Sequence, residues 1–119
     1  MVSDICIKYL LHEGKQHGLE DHLNSILESG DNYDLIILPD SSSNDYEYHK
    51  KLKDRGINII VLDHHEADHI SEDAIIINNQ LSNYPNKQMS GVGVVWQFCR
   101  YLDSMLDVSY ADNFLDLVA

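Results

Sequence analysis

The stretch Ile57-Asn58-Ile59-Ile60-Val61-Leu62-Asp63-His64-His65 decides how this chain folds. Its first six residues are mostly apolar and β-branched, which is typical of a buried strand. An aspartate and two histidines follow at once, so three potential ligands for a metal or a phosphate lie at the strand's carboxyl end. In open α/β sheets, the loops at these ends form the ligand-binding crevice. The stretch therefore predicts a sheet and the edge at which its site lies.

A second apolar run ends in the same way. Asp34–Leu38 is followed by Pro39, Asp40 and two serines. If the two strands are parallel, their carboxyl ends share one edge of the sheet. We therefore expect Asp40 and His64 to meet there.

The remaining pattern alternates between strands and helices. Apolar runs predict strands over Ile5–Leu11 and Ala74–Ile77. Helical spacing predicts helices over Leu19–Glu28, from a cap at Asn44 to Gly56, and after Ser90. In the last helix the predicted buried face is formed by Val92, Val95, Trp96, Cys99 and Leu102. Continuous apolar runs favour strands covered on both faces, so the fold class is α/β, three-layer, with a mainly parallel β-sheet and helices on both faces.

Composition limits the class of protein. The 119 residues suit one domain, and the hydrophobic fraction of 44% is that of a globular chain. No apolar run approaches the roughly 20 residues of a membrane span, and the first residues do not form a signal peptide, so we expect a cytoplasmic protein without a membrane partner. Cys6 and Cys99 both lie in apolar patterns, which predicts reduced core thiols.

The net charge of −12 has the wrong sign for a surface that follows a phosphate backbone. Clustered carboxylates also bind Mg²⁺ or Mn²⁺. Acidic surfaces more often serve solubility alone.

The chemistry of the predicted edge suits divalent cations. Asp40 and His64 are suitable ligands, and the two oxygens of Asp40 allow it to bridge a pair of ions for phosphoester hydrolysis. Adjacent histidines on an extended backbone point to opposite sides, so one of His64 and His65 would bind metal and the other would meet a substrate phosphate. The alternative is structural: Asp63 caps a turn and the histidines are ordinary loop residues.

A competing motif overlaps the same stretch. Residues 65–69 match the H-E-x-x-H pattern of zinc proteases, which requires His65 and His69 on one face of a helix. Here the pattern directly follows a strand, so a helix is not expected. Farther along, Ser90, Gly91 and Gly93 at a helix start either present backbone N–H groups to a phosphate or allow close packing.

These motifs together resemble those of the DHH phosphoesterase superfamily, and most closely those of RecJ-type single-strand-specific DNA exonucleases. The resemblance is carried by Asp63-His64-His65-Glu66 after a buried strand and by Pro39-Asp40-Ser41 after the strand before it. Ser90–Trp96, Leu115–Ala119 and the stretch from His12 to Leu19 resemble further segments of these exonucleases in the same order.

The resemblance implies roles for individual residues. Asp40 would be a bridging metal ligand and His64 a second ligand. His65 would be a catalytic residue in contact with the scissile phosphate, and Asp63 a catalytic carboxylate that binds or supports the metal. Independently of the resemblance, Ser90 and Gly91 are the candidate substrate-binding residues, through backbone N–H groups at the start of the helix. The implied reaction is 5′-to-3′ hydrolysis of single-stranded DNA or a short oligonucleotide by water activated at a two-metal Mn²⁺ (or Mg²⁺) site.

One departure from the family qualifies this expectation. The Asp-x-Asp turn of the family's first motif has no counterpart before Asp40, and the fourth-motif aspartate would follow Ala119. We therefore expect residues 1–119 to be a partial DHH domain that is inactive alone. Two alternatives remain open, a phosphodiesterase or pyrophosphatase acting on small nucleotides and a non-catalytic scaffold. The oligomeric state is left undetermined.

Overall fold

The computed structural model describes residues 4–12 and 18–118, which form a three-stranded sheet with helices around it. In chain order the elements are α1 (Glu20–Glu28), β1 (Leu35–Pro39), α2 (Tyr46–Asp54), β2 (Asn58–Asp63), β3 (Ile75–Asn78), α3 (Gly91–Leu106) and a 3₁₀ helix (Ala111–Leu117). The strand order is β1-β2-β3 and both pairings are parallel. The predicted α/β fold with a parallel sheet is therefore confirmed.

The register of the strands brings their carboxyl ends together. Pro39 pairs with Leu62, and Asp63 pairs with Asn78. Just past β1, the backbone N–H of Asp40 still donates to the carbonyl of Leu62 at 2.7 Å. The residues that follow the three strands therefore leave the sheet side by side.

Two helical layers enclose β2. On one face, a core cluster is formed by Leu19, Leu23 and Ile26 near α1, Leu52 of α2, and Ile57, Ile59 and Val61 near β2. Leu62 has the opposite parity in the strand, so its side chain lies on the other face, where α3 contacts β2. Leu62 and Val94 of α3 are both buried there. Helices thus lie on both faces of the sheet, as predicted.

The expectation that every strand is covered on both faces is wrong for β1. Leu35 and Ile37 are 46% and 48% exposed. β1 is an edge strand, and α3 contacts it less than it contacts β2. Of the three strands in the described part of the chain, only β2 is enclosed on both faces along most of its length.

The predicted first strand is absent from the structure. Ile5–Leu11 has no regular secondary structure, and Cys6 is exposed, so the expectation of a core thiol there is also wrong. An isolated extended segment leaves its backbone groups unpaired, and within residues 4–12 and 18–118 no strand pairs with it. Residues 13–17 of the stretch that resembles RecJ lie outside the described residues.

The buried face of α3 differs from the predicted one. Val92 and Leu102 are exposed, whereas Gly91 and Val94 are buried. Because Gly91 packs directly against Asp40, the helix turns the face shared by positions 91 and 94 toward the sheet. Trp96 is half-buried, and its indole N–H donates to the carbonyl of Ala111 at 3.2 Å.

The start of α2 also differs from expectation, because Asn44 is not its cap. The helix begins after Asp45, and the Asn44 amide instead donates to the carbonyl of Glu66 at 3.0 Å. Asn44 therefore ties the loop after β1 to the loop after β2. Among the described residues, no helix is long and apolar enough to cross a membrane.

His49 of α2 is fully buried, and its Nδ1 lies 3.0 Å from Ser71 Oγ. Burial lowers the pKa of the imidazole below its ordinary value of 6.5. In the pH range below 6.5, the unfolded chain therefore binds a proton that folded His49 excludes, so stability falls as the pH falls.

We expect His49→Gln to flatten this pH dependence, because glutamine does not titrate. A single proton accounts for at most about 1.4 kcal/mol per pH unit. Urea unfolding of both proteins between pH 6.5 and about 5 measures the difference. His69→Gln, at an exposed histidine, is the control. Equal slopes for wild type and His49→Gln would contradict the assignment.

Candidate metal centre

Three side chains converge at the carboxyl edge of the sheet. Asp40, His64 and His65 each offer one ligand atom, and these atoms lie within 4.8 Å of one another. His64 Nε2 is 3.1 Å from Asp40 Oδ1. The meeting of Asp40 and His64 thus follows from the parallel arrangement, as expected. The cluster is partly open to solvent, so an ion and a substrate can both reach it.

Asp40 owes its position to an unusual backbone and to a close neighbour. Its φ is 59°, a left-handed conformation that aspartate adopts more readily than most residues. Gly91 lies so close that a Cβ placed on it would be 2.0 Å from Asp40 Oδ1. The amino terminus of α3 therefore approaches the carboxylate directly, and the positive end of a helix dipole favours negative charge there.

The two histidines lie on the same side, so the expectation that they point apart is wrong. Their ring centroids are 4.4 Å apart. β2 ends at Asp63, and Asp63 Oδ1 accepts a hydrogen bond from the backbone N–H of His64 at 2.8 Å. This turn by an aspartate side chain bends the chain, so the alternation of an extended backbone no longer applies.

Asp63, the last residue of β2, is 1% exposed and lies on the buried side of the cluster. Its Oδ2 accepts from the backbone N–H of Ser43 at 3.2 Å, and its Oδ1 lies 2.6 Å from His65 Nδ1. Burial alone would raise the pKa of Asp63, but the hydrogen bonds from Ser43, His65 and His64 outweigh it, so this pKa lies below its ordinary value.

The charge state of Asp63 determines the proton position on His65. An ionised carboxylate only accepts hydrogen bonds, so Nδ1 of His65 carries the proton. The other ring nitrogen then bears the lone pair that a metal ion needs. Asp63 is not among the three grouped ligands, and its oxygens face Ser43 and the histidines.

The predicted substrate-binding residues lie at the start of α3. The Ser90 hydroxyl accepts from the backbone N–H of Gly93 at 3.3 Å, which caps the helix. Gly91 is buried against Asp40. Both residues thus have a structural part in forming this end of the helix, and a contact with phosphate stays a prediction.

The zinc-protease pattern has the wrong geometry. Residues 64–74 contain no helix, so His65 and His69 do not share a helical face. The His69 ring instead stacks on Tyr46, with centroids 3.9 Å apart. The structure therefore contradicts that alternative.

Sequence reasoning missed two residues that hold the cluster together, Ser43 and Asn78. The Asn78 amide donates to Ser43 Oγ and to the carbonyl of His65, both at 2.8 Å. A signal was present in the pattern, because Asn78 directly follows the third apolar run just as Asp63 ends the second.

Comparison with known proteins is consistent with this geometry. The family model described as the DHH family, N-terminal domain, matches residues 1–119. The chain belongs to the DHH family. A putative SPbeta prophage-derived single-strand DNA-specific exonuclease, YorK of Bacillus subtilis (strain 168), is 45% identical over 123 residues, which cover 99% of this chain and 20% of YorK.

Two further matches involve RecJ. The single-stranded-DNA-specific exonuclease RecJ of Bacillus subtilis (strain 168) is 33% identical over 107 residues, which cover 83% of this chain and 13% of RecJ. A crystal structure of exonuclease RecJ bound to manganese matches with a TM-score of 0.64 at 20% identity, covering 78% of this chain and 23% of that one. At this identity the match shows the shared fold. The DHH chain spans about a fifth or less of the curated relatives it matches.

The donor set of the cluster combines two kinds of ligand. Carboxylate oxygens suit Mg²⁺ and Mn²⁺, whereas imidazole nitrogens suit ions such as Zn²⁺ and Fe²⁺. The cluster offers one carboxylate and two imidazoles. This mixed donor set fits a divalent metal ion.

Proposed function

We propose that this chain carries part of the divalent-metal centre of a RecJ-like 5′-to-3′ single-stranded DNA exonuclease. The main observation behind this proposal is that ligand atoms of Asp40, His64 and His65 lie within 4.8 Å of one another at the carboxyl edge of a parallel sheet. Membership of the DHH family supports the choice of phosphoester chemistry. The name of the relative YorK supports single-stranded DNA as the substrate class.

Each residue of the site has its own role in this proposal. Asp40, His64 and His65 would hold the ion through their three grouped ligand atoms. This replaces the expectation that His65 contacts the scissile phosphate, because a ring protonated at Nδ1 has a lone pair and no proton at its other nitrogen. Asp63 fixes the orientation of the His65 ring through its 2.6 Å contact with Nδ1. The amino terminus of α3, with Ser90 and Gly91, faces a phosphate with backbone N–H groups. A bound Mn²⁺ would supply a water of lowered pKa and polarise the phosphodiester.

On this proposal the chain does not hydrolyse DNA by itself. Within residues 4–12 and 18–118, the three grouped ligands would hold one ion, whereas two-metal hydrolysis needs a second set of ligands. We infer that residues 1–119 form part of a DHH domain and that activity requires further carboxylates. Release of nucleotides from single-stranded DNA by the 119-residue chain, lost in Asp40→Asn, would contradict this part of the proposal.

Metal binding provides the direct test. Titration of the chain with Mn²⁺, followed by the electron paramagnetic resonance signal of free Mn²⁺, should reveal a saturable site. Asp40→Asn keeps the side-chain shape but removes the charge, so we expect affinity to fall roughly tenfold or more, the loss found even for outer-shell partners. Asp68→Asn, at an exposed acid of the neighbouring loop, should bind as wild type does. Wild-type protein without saturable binding would refute the metal centre.

The acidic character of the chain favours small nucleotides as a second substrate class. A net charge of −12 repels a long polyanion more strongly than a dinucleotide. Competition for the Mn²⁺-loaded protein between single-stranded DNA and a dinucleotide separates the two. Preferential binding of the dinucleotide would favour a phosphodiesterase that acts on small nucleotides.

A further inference from the structure

Asn78 lies at the carboxyl end of β3, beside the candidate metal centre but outside it. The residue is 5% exposed. Its Nδ2 donates to both Ser43 Oγ and the carbonyl of His65, and its Oδ1 accepts from the backbone N–H of Gln80 at 2.8 Å. The side-chain amide is thus hydrogen-bonded on both its donor and acceptor sides.

The hydrogen bonds of Asn78 complete a closed ring. From Asn78 the ring passes to Ser43, whose backbone N–H donates to Asp63 Oδ2. Asp63 Oδ1 then meets His65 Nδ1, and the His65 carbonyl returns to Asn78. Because the ring contains one residue after β1, two at or after β2 and one at the end of β3, it couples all three strand ends.

We infer that Asn78 is a positioning residue for His65. His65 lies in a loop past the end of β2, and its ring is half-exposed, so local backbone structure alone leaves it several orientations. Asn78 binds the backbone carbonyl of His65, while Asp63 binds the imidazole of His65. The two contacts together fix both the backbone and the side chain of His65. Preorganised ligands of this kind need a supporting shell of buried hydrogen bonds. The inference rests on the proposed function in one respect: it takes the ion bound at the cluster to be a divalent cation.

The test compares Asn78→Ala with Asn79→Ala. Asn79 is equally buried, but its amide donates to the carbonyl of Asn86 and does not join the ring. We expect Asn78→Ala to weaken Mn²⁺ binding about tenfold. Asn79→Ala should leave that affinity unchanged, even if it lowers the melting temperature.

A second readout does not depend on metal. In metal-free protein above neutral pH, the ¹⁵N spectrum of the imidazoles should show His65 as the single tautomer protonated at Nδ1. In Asn78→Ala we expect averaging between the two tautomers of His65, because its imidazole is no longer held in a fixed position relative to Asp63. The spectrum of Asn79→Ala should match that of wild type.

Mn²⁺ affinity and the imidazole spectrum together distinguish failure of the proposed metal centre from failure of the proposed role of Asn78. Wild-type protein that binds no Mn²⁺ refutes the metal centre, while the imidazole spectrum still decides the role of Asn78. An unchanged His65 tautomer in a folded Asn78→Ala variant overturns the inference. If that variant does not fold, Ser43→Ala removes the contacts of Ser43 Oγ with Asn78 and Asp63 but keeps the hydrogen bond from the Ser43 backbone N–H to Asp63. We then expect a smaller shift of the His65 signal in the same direction. An unchanged signal in Ser43→Ala would then overturn it.

Discussion

Gly91→Ala should abolish Mn²⁺ binding at the candidate centre. The new Cβ would lie 2.0 Å from Oδ1, 2.4 Å from Cγ and 2.8 Å from Cβ of Asp40. Rotation about χ1 moves the carboxylate of Asp40 but leaves its own Cβ in place, so a change of rotamer cannot remove the clash. The backbone of Asp40 or the start of α3 must shift instead, and either movement separates Asp40 from His64.

Gly93→Ala is the matched control for this substitution. A Cβ at Gly93 would meet Met89 Cγ at 2.7 Å, but this is a flexible side chain that can move aside. Both substitutions place alanine in the first turn of the same helix, so any effect on helix propensity is similar. Mn²⁺ titration and urea unfolding of both variants measure the difference. Wild-type affinity in Gly91→Ala would show that the close approach to Asp40 is not needed.

Asp63→Asn should cause the largest loss of stability among the substitutions considered. The buried carboxylate accepts hydrogen bonds from Ser43, His64 and the His65 ring. An amide in its place carries no charge and presents an N–H group to one of these donors. Hydrogen bonds to a charged group contribute about 1.5–3 kcal/mol, so we expect the free energy of unfolding to fall by about 3 kcal/mol near neutral pH.

The pH dependence of this loss has a definite sign. Because the pKa of folded Asp63 lies below its ordinary value, the stabilisation is present above the pKa of the unfolded chain and disappears as the pH falls through the folded value. Asp54→Asn is the control, since that exposed carboxylate is 3.8 Å from Lys50 on the same helix and contributes little. Equal losses in the two variants would contradict the buried network.

Most of the sheet could be predicted from local patterns. The three predicted strands that form β1, β2 and β3 each lie within one residue of the observed strand, because continuous β-branched runs have few other ways to be buried. The meeting of Asp40 and His64 followed from the parallel arrangement alone. The predicted strand over Ile5–Leu11 failed because a strand needs a partner, and pairing is not a local property.

The shape of the site depended on contacts between residues far apart in the chain. His64 and His65 share one cluster because Asp63 bends the chain beneath them, whereas an extended strand would have separated them. Gly91 matters because α3 approaches Asp40 across about fifty residues of sequence.

The sequence by itself therefore determined the class of fold, the edge that carries the site and the ligand types present there, since these follow from strand periodicity and strand-end chemistry. Only the tertiary structure decided which side chains point at one another, and it assigned supporting places to Asp63 and Asn78. The physical reason is that buried hydrogen-bonding groups must find partners, and at this edge Asp63 and Asn78 find them in segments that the fold, not the local sequence, brings together.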